Sequence, residues 1–315
     1  MDKKPMIILA GPTASGKTSL SIALAKKTGA EVISADSMQV YRGMDIGTAK
    51  VTPQEMDGVP HHLIDCLDPK EPFDVFTFQS LARQAAGQIY GRGHIPLVVG
   101  GTGFYIQALL RDIDFTDSGQ DSSYRRNLEA EAAAGGGARL YQLLQQLDPQ
   151  AAEAIHPNNS KRVIRALEFY HLTGRRISAH NQEEKQRPSP YNFAYFVLSM
   201  PRPLLYSRIE LRVDRMFDDG LVDEVKRLQD MGCRRGMVSM QGLGYKEVLD
   251  YLDGNMSLEQ TKDIIKRDTR RFAKRQLTWF RREKDAVWLD RTAYSSQQAL
   301  LDEVLRVLKE KNIIK

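Results

Sequence analysis

The sequence predicts an α/β fold in which a phosphate-binding loop (P-loop) belongs to a doubly wound parallel sheet and a helical insertion domain interrupts the chain. Continuous apolar runs at residues 6–10 and 95–99 are typical of strands that are buried on both faces of a parallel sheet. Each run leads into a glycine-rich turn and then a helical pattern. This alternation of strands and helices predicts the double winding.

The rest of the chain divides into sheet-forming and helical regions. Further strand-like runs occupy residues 31–34, 194–199 and 286–289, and helical patterns of the core occupy residues 19–27, 81–90 and 105–110. From about residue 122 to 179 the pattern is almost wholly helical, and three glycines at 135–137 predict a loop there. We therefore predict the first part of the P-loop core at 1–118, the helical insertion at 119–187, and the second part of the core, with basic C-terminal helices, at 188–315.

The composition is that of an ordinary globular protein rather than a membrane-spanning or disulfide-rich one. The 315 residues include 45 Lys+Arg against 40 Asp+Glu, a net charge of +5, and no apolar run approaches the ~20 residues that span a bilayer. Cys66 and Cys233 stand far apart, which predicts reduced thiols and no zinc site. The first residues lack the pattern of a secretory signal, so we expect a cytoplasmic protein with no membrane partner. Separately, we expect it to be a monomer.

The most specific local motif is GPTASGKT at residues 11–18, which matches the P-loop pattern G-x-x-x-x-G-K-[ST]. Its glycines let backbone N–H groups surround an anion, and the following helix adds the partial positive charge of its N-terminus. Lys17 supplies a cation and Thr18 a hydroxyl that suits Mg²⁺. The motif predicts a phosphorylated ligand, with ATP as the ordinary candidate, but it does not specify the reaction.

Asp36 is the acidic residue that follows a predicted strand. On the residues alone it fits a magnesium-associated carboxylate, a ribose-binding group, a general base or a plain turn aspartate. Two further glycine-containing turns, at 100–103 and 241–246, lie where a ligand could bind, although either would be weak evidence by itself.

A basic segment at 266–284 indicates a nucleic-acid partner or, equally simply, a solvated charged face. It contains nine basic and two acidic residues with interleaved aromatic side chains. If it is helical, an apolar seam and a basic remainder would suit a phosphate backbone. A second basic group at 161–165 lies in the predicted insertion. Two separate basic regions favour an RNA or DNA partner.

Taken together and in order, the motifs resemble those of the tRNA dimethylallyltransferase family, also called tRNA isopentenyltransferase, in its compact bacterial form. The motifs that carry the resemblance are GPTASGKT at 11–18, DSMQVYRGMDIGTAK at 36–50, GGTGFYIQALL at 100–110, RVIRALE at 162–168, QGLGYKE at 241–247 and KRQLTWFR at 274–281. They extend over nearly the whole chain, and the segment at 36–50 is highly specific to this family.

The resemblance implies transfer of a dimethylallyl group from dimethylallyl diphosphate to N6 of the adenosine 3′ of the anticodon, in tRNAs that read codons beginning with U. Diphosphate is the product, Mg²⁺ the implied cofactor and the anticodon stem-loop of tRNA the implied partner. A small-molecule P-loop kinase and an NTP-driven RNA-binding protein are the alternatives. Each alternative uses only part of the motif set, whereas prenyl transfer uses all of it.

The resemblance also implies roles for individual residues. The implied catalytic residues are Asp36 as general base, Lys17, Thr102 near the reacting centre, and Arg215 as a further cation at the diphosphate. The implied diphosphate-binding residues are Gly11, Pro12, Thr13, Ala14, Ser15, Gly16, Lys17 and Thr18, and Thr18 is the implied metal ligand. The implied tRNA-binding residues are Asp36, Ser37, Met38, Gln39, Thr102, Arg125, Lys161, Arg162, Val163, Ile164, Arg165, Gln241, Gly242, Leu243, Gly244, Tyr245 and Lys246. The target base would be turned out of the anticodon loop to reach them.

Overall fold

The computed structural model describes residues 3–115 and 122–315, and its centre is a six-stranded parallel sheet. The strands are β1 (Lys4–Ala10), β2 (Glu31–Ala35), β3 (His61–His62), β4 (Pro96–Gly100), β5 (Tyr191–Ser199) and β6 (Ala286–Asp290). Their spatial order is β3-β2-β4-β1-β5-β6. The chain starts at β1, builds one side of the sheet with β2 to β4 and the other with β5 and β6, which confirms the predicted doubly wound α/β fold.

Fourteen α-helices lie in the described residues. They are α1 (Lys17–Thr28), α2 (Pro53–Met56), α3 (Val75–Gly91), α4 (Gly103–Arg111), α5 (Ser122–Glu131), α6 (Gly137–Leu147), α7 (Pro149–Ala154), α8 (Ser160–Thr173), α9 (Ile177–Gln186), α10 (Arg202–Asp218), α11 (Leu221–Asp230), α12 (Tyr245–Leu252), α13 (Leu258–Phe280) and α14 (Gln297–Glu310). None of the helices in this part of the chain has the length and apolar character needed to cross a membrane.

Local capping explains two helix starts that the apolar pattern alone does not fix. Asp74 accepts the N–H of Thr77 and begins α3, six residues before the predicted start at 81. Ser257 and Gln260 form a capping box that begins α13. Helix α13 ends at Phe280, so the last basic residues of the 266–284 segment lie beyond it.

The alternation of side chains along β1 shows why this strand is apolar at every position. Met6 and Ile8 pack into one hydrophobic cluster, with helices α3 and α4, while Ile7 and Leu9 pack into a second cluster on the other face, with α1 and α14. All four side chains are fully buried. The sheet therefore lies between two helical layers, and its carboxyl edge is left for a ligand.

The chain folds as two compact units, Met1–Leu110 with Pro190–Lys315, and Arg111–Ser189. The predicted boundary between residues 118 and 119 lies outside the described residues. The second unit has a core of its own, in which Leu128 of α5, Leu140 and Leu144 of α6 and Leu167 of α8 are buried.

The predicted break at Gly135–Gly137 is confirmed at Gly135, which has a non-helical, left-handed φ of +91° between two helices. The break is a kink rather than a long loop, since the short segment Ala132–Gly136 joins α5 directly to α6. A Cβ on Gly136 would lie 2.6 Å from the side chain of Glu131. Gly135 permits the positive φ that interrupts the helix, and Gly136 permits the close approach to Glu131.

Candidate active site

A cavity of about 950 Å³ lies at the carboxyl edge of the sheet, where open α/β folds bind ligands. Its walls come from segments that are far apart in sequence: the P-loop, the residues after β2, the turn after β4, helix α10 and the turn before α12. All these segments belong to the first compact unit. Arg275 and Gln276 of helix α13 line it too, so the fold brings five of the six quoted motifs to one place.

The P-loop connects β1 to α1 as predicted. Five of its residues line the cavity, namely Thr13, Ala14, Gly16, Lys17 and Thr18, whereas Gly11, Pro12 and Ser15 are buried behind them. Gly11 has φ +152°, and a Cβ there would lie 2.5 Å from the carbonyl oxygen of Leu198 in β5. The first glycine of the motif is therefore required by close packing against the neighbouring strand.

Lys17 is held by the loop itself. Its Nζ donates to the carbonyl oxygens of Gly11 at 2.9 Å and Pro12 at 2.8 Å. Burial, reinforced by the nearby charge of Arg212 and opposed by that of Asp36, lowers the pKa of Lys17 to about 8. A negatively charged ligand would stabilise the protonated amine and replace these carbonyl contacts.

Asp36 follows directly after β2, and its two carboxylate oxygens differ in their surroundings. Its Oδ1 accepts the backbone N–H of Met38 at 2.9 Å and of Gln39 at 3.4 Å, which is the hydrogen bonding of a turn aspartate. In the described part of the chain its other carboxylate oxygen receives no hydrogen bond, and the residue lines the cavity. One oxygen thus fixes the turn while the second is available to a ligand.

Thr102 and Arg215 also line the cavity. The N–H of Thr102 donates to the carbonyl oxygen of Ala35 at 3.3 Å, so the turn after β4 is tied to the residue before Asp36. Arg215 lies on α10 with an exposed side chain.

Arg212, one turn before Arg215 on α10, is a cation of the cavity that was not predicted from the sequence. Its Nη1 donates to Oγ1 of Thr13 at 2.9 Å, and burial lowers the pKa of the guanidinium while Asp36 opposes that effect. The sequence did contain a signal for Arg212: it lies three residues before Arg215, and that spacing places both arginines on one face of a helix.

Glu224 of α11 holds the segment at 36–50 in place. The buried carboxylate accepts the backbone N–H groups of Asp45, Ile46 and Gly47 at 2.8–3.1 Å and the hydroxyl of Tyr245 at 2.7 Å. A Cβ on Gly47 would lie 2.6 Å from the Tyr245 ring. The two motifs around 47 and 245 are therefore parts of one packed structure.

In the turn at 241–246, Gln241, Gly242, Leu243, Tyr245 and Lys246 line the cavity, while Gly244 is buried outside it. A Cβ on Gly242 would lie 2.7 Å from the terminal methyl of Met38, so the turn meets the residues after Asp36. Ser37, Met38 and Gln39 also line the cavity. Tyr245 is fully buried, and its hydroxyl is used by Glu224.

The second unit contains the remaining predicted tRNA-binding residues. Arg125 and Arg165 donate to the same oxygen of the buried Glu168, at 3.4 and 3.2 Å, while Lys161 and Arg162 are exposed. The side chains of Val163 and Ile164 are buried in the core of this unit, because they lie on the inner face of α8; their part in tRNA binding stays a prediction, which side-chain contact does not support.

Helix α13 is less basic in effect than its sequence suggests. Lys266 pairs with Asp214 at 2.6 Å, and Arg270 pairs with Glu210, both on α10. Arg275 lines the cavity. The nine basic residues counted in the segment at 266–284 are therefore partly neutralised by acidic residues of the neighbouring helix α10, which a count within the segment does not include.

Comparison with known proteins identifies the family of this chain. A family model described as IPP transferase matches residues 39–283, and one described as isopentenyl transferase matches residues 5–66. The chain is 57% identical over 312 residues to the tRNA dimethylallyltransferase of Lachnoclostridium phytofermentans, an alignment that covers 99% of this chain and 100% of that protein. It is 50% identical over 300 residues to the protein of the same name from Halalkalibacterium halodurans, covering 95% of each.

Solved structures give the same result. The full-length tRNA isopentenylpyrophosphate transferase from Bacillus halodurans matches with a TM-score of 0.74 at 48% identity, covering 98% of both chains. A eukaryotic dimethylallyltransferase acting on tRNA matches with a TM-score of 0.85 at 32% identity, covering 98% of this chain and 79% of that chain. The family match over most of the chain and the extent of these identities show that the chain belongs to the IPP transferase family, with the tRNA dimethylallyltransferases as its relatives.

Proposed function

We propose that the protein transfers the dimethylallyl group of dimethylallyl diphosphate to N6 of the adenosine 3′ of the anticodon in tRNAs that read codons beginning with U. The observation that carries this proposal is that the P-loop and the uncommitted carboxylate oxygen of Asp36 line one cavity. Family membership supports the same reaction, since the relatives are named for it.

The leaving group is diphosphate, and the loop suits it. As the allylic C–O bond breaks, its electron pair passes to the diphosphate, where negative charge grows. Backbone N–H groups of the loop, Lys17 and the arginines of α10 stabilise that charge, in a site where they are already positioned. Catalysis of this kind requires no covalent intermediate with the protein.

The amine supplies the electrons for the new bond. The N6 lone pair attacks the allylic carbon, and the nitrogen then loses a proton to the carboxylate of Asp36, which acts as general base. Thr102 lies on the turn tied to Ala35, one residue before Asp36, and is our candidate for orienting the acceptor. The residues at 37–39 and 241–246, which meet at Met38 and Gly242, are our candidates for contact with the extruded nucleotide.

Thr18 fits the role of a magnesium ligand. Its side chain is exposed and lines the cavity, at the first turn of α1. No group of three or more His, Cys, Asp or Glu side chains that could hold a metal occurs among residues 3–115 and 122–315. A single hydroxyl with diphosphate oxygens and water is the donor set that Mg²⁺ commonly uses at phosphates. When bound there, Mg²⁺ would neutralise charge on the leaving diphosphate.

The test is transfer of label from dimethylallyl diphosphate to unmodified tRNA without added ATP. We expect label on wild-type tRNA and none on a matched tRNA with guanosine in place of the target adenosine, because guanosine has no N6 amine. Phosphoryl transfer or ATP hydrolysis in the absence of prenyl transfer would overturn the proposal in favour of the kinase or NTP-driven alternatives. The cytoplasmic location and the monomeric state stay predictions from the sequence.

A further inference from the structure

Gln276, in the middle of α13, connects two turns of the cavity that have no sequence continuity. Its Oε1 accepts the backbone N–H of Thr13 in the P-loop at 3.0 Å, and its Nε2 donates to the carbonyl oxygen of Gly101 at 3.0 Å. The side chain is 7% exposed. One amide group therefore satisfies a donor on one turn and an acceptor on the other.

The contact leaves no room for adjustment. A Cβ on Gly101 would lie 2.1 Å from Nε2 of Gln276, and a Cβ on Gly103 would lie 2.1 Å from the ring of Trp279. Trp279 is one turn further along α13, so the helix packs along the whole glycine turn. The glycines at 101 and 103 are required by this close approach of a helix rather than by backbone conformation, since neither has a positive φ.

The bond also changes how the P-loop can hold an anion. The N–H of Thr13 is used by Gln276, and the Thr13 hydroxyl accepts from Arg212. Among the loop amides that follow Thr13, that of Ser15 donates to the carbonyl oxygen of Pro12 at 3.4 Å. Our candidates for phosphate oxygens are therefore the amides of Ala14, Gly16, Lys17 and Thr18. Gln276 thus fixes the start of the anion-binding part of the loop.

We propose that Gln276 is a positioning residue, which sets the separation between the diphosphate leaving group on the P-loop and the acceptor beside Thr102. This inference rests on the proposed function. Reacting atoms must approach within about 3–3.5 Å, and a misplacement of about 1 Å can cost about 10²-fold in rate. Gln276 lines the cavity, but both polar atoms of its amide are used in the bridge, so it acts on that approach by holding the two turns.

The structure offers a matched control in Gln79 of α3. This glutamine is also buried, at 4% exposed, and its Nε2 donates to the carbonyl oxygen of Ala108 at 2.8 Å. It does not line the cavity. The variants Gln276→Met and Gln79→Met remove the same amide from comparable surroundings, so a loss of folding free energy is expected in both.

The experiment measures kcat, KM for dimethylallyl diphosphate and tRNA affinity, well below each variant's Tm. For Gln276→Met we expect kcat to fall about 10- to 100-fold, with KM and tRNA affinity changed less than about threefold. For Gln79→Met all three should stay near wild type. Gln276→Glu retains an acceptor for Thr13 but loses the donor to Gly101, and should also lower kcat.

Equal effects of Gln276→Met and Gln79→Met on kcat would overturn the proposal and leave Gln276 a stabilising residue only. A rise in KM with unchanged kcat would also overturn it, since that pattern indicates lost ground-state binding. The wild-type protein separates this inference from the proposed function: if wild type itself transfers no label to tRNA, the proposed function fails before any variant is compared.

Discussion

The cations of the cavity and those of the helical unit are held in opposite ways. Lys17 and Arg212 are bonded to neutral groups of the P-loop, and burial lowers the pKa of both. Arg125 and Arg165 share a buried carboxylate, Glu168, while their side chains are 43% and 38% exposed. The first pair lacks a close anionic partner within the described residues, and the second pair has one.

This difference indicates two kinds of phosphate recognition. Desolvated cations without a close counter-charge gain most from a small, highly charged ligand that enters their site, because the local dielectric is low. Exposed arginines with a carboxylate behind them are oriented but hydrated, which suits a polyanion that is attracted over some distance and screened by salt. Substitutions in the two regions test that division, starting with Asp36, whose charge acts on both buried cations.

The largest effect is expected for Asp36→Asn. Asparagine keeps an oxygen that can accept the Met38 N–H, so the turn is retained while the base is lost. We expect kcat to fall about 10²- to 10⁴-fold, with tRNA affinity largely kept. Asp68→Asn is the control, because Asp68 also accepts a turn N–H, that of Lys70, and does not line the cavity. A large loss of tRNA affinity instead would make Asp36 mainly a binding residue.

Lys17→Met should have the next largest effect. It removes a cation placed at the developing negative charge, and losses of about 10²- to 10³-fold in kcat are typical for such groups. Dimethylallyl diphosphate should also bind more weakly. Lys26→Met, at the exposed end of the same helix, is the control, since Lys26 pairs with Asp57 at the surface. Unchanged kinetics in Lys17→Met would contradict the leaving-group role.

The pH dependence of ligand binding tests the state of Lys17 directly. With its pKa near 8 in the free protein, the amine is charged below that pH and neutral above it. The charged form binds the diphosphate, so affinity should fall roughly tenfold between pH 7 and pH 9, and binding near pH 8 should take up protons. Calorimetry in buffers of different ionisation enthalpy measures that uptake. In Lys17→Arg, which stays charged, the decline should disappear; an equal decline there would refute the assignment.

The smallest effects are expected in the helical unit. Arg125→Ala and Arg165→Ala should each weaken tRNA binding several-fold and reduce the salt dependence of log K by roughly one. Glu168→Gln should weaken tRNA binding less, because both arginines remain but lose their common partner. Arg139→Ala, which breaks a surface pair with Glu131, should leave the salt dependence unchanged. If neither arginine variant alters it, the predicted tRNA contact is wrong.

The sequence predicted what depends on local pattern. Strand β1 is apolar at successive positions because both faces are covered, and the P-loop is defined by spacing within eight residues. Strand β3 was missed because His61–His62 has no apolar run and pairs with β2 over two positions only. The break at Gly135 was predicted because consecutive glycines interrupt a helical pattern, and Gly135 has a non-helical φ of +91°.

The missed site residues depend on contacts between distant segments. Arg212 and Glu224 each act on residues more than 160 positions away, and Gln276 on residues 175 and 263 positions away. Arg212 is marked locally only by its spacing from Arg215, and Gln276 lies inside the motif at 274–281, which does not indicate its two distant partners. Contacts between such distant residues become visible only in the three-dimensional structure.

The carboxylate of Glu224 determines which segments should unfold together when the protein opens locally. The amides of Asp45, Ile46 and Gly47 lie outside any helix or strand, yet all three donate to one buried side chain of α11. Their hydrogen exchange with solvent should be slow, like that of a helix, and should become fast only when α11 leaves its place. A stretch of irregular chain thus belongs to the same cooperative opening unit as a helix nearly 180 residues later.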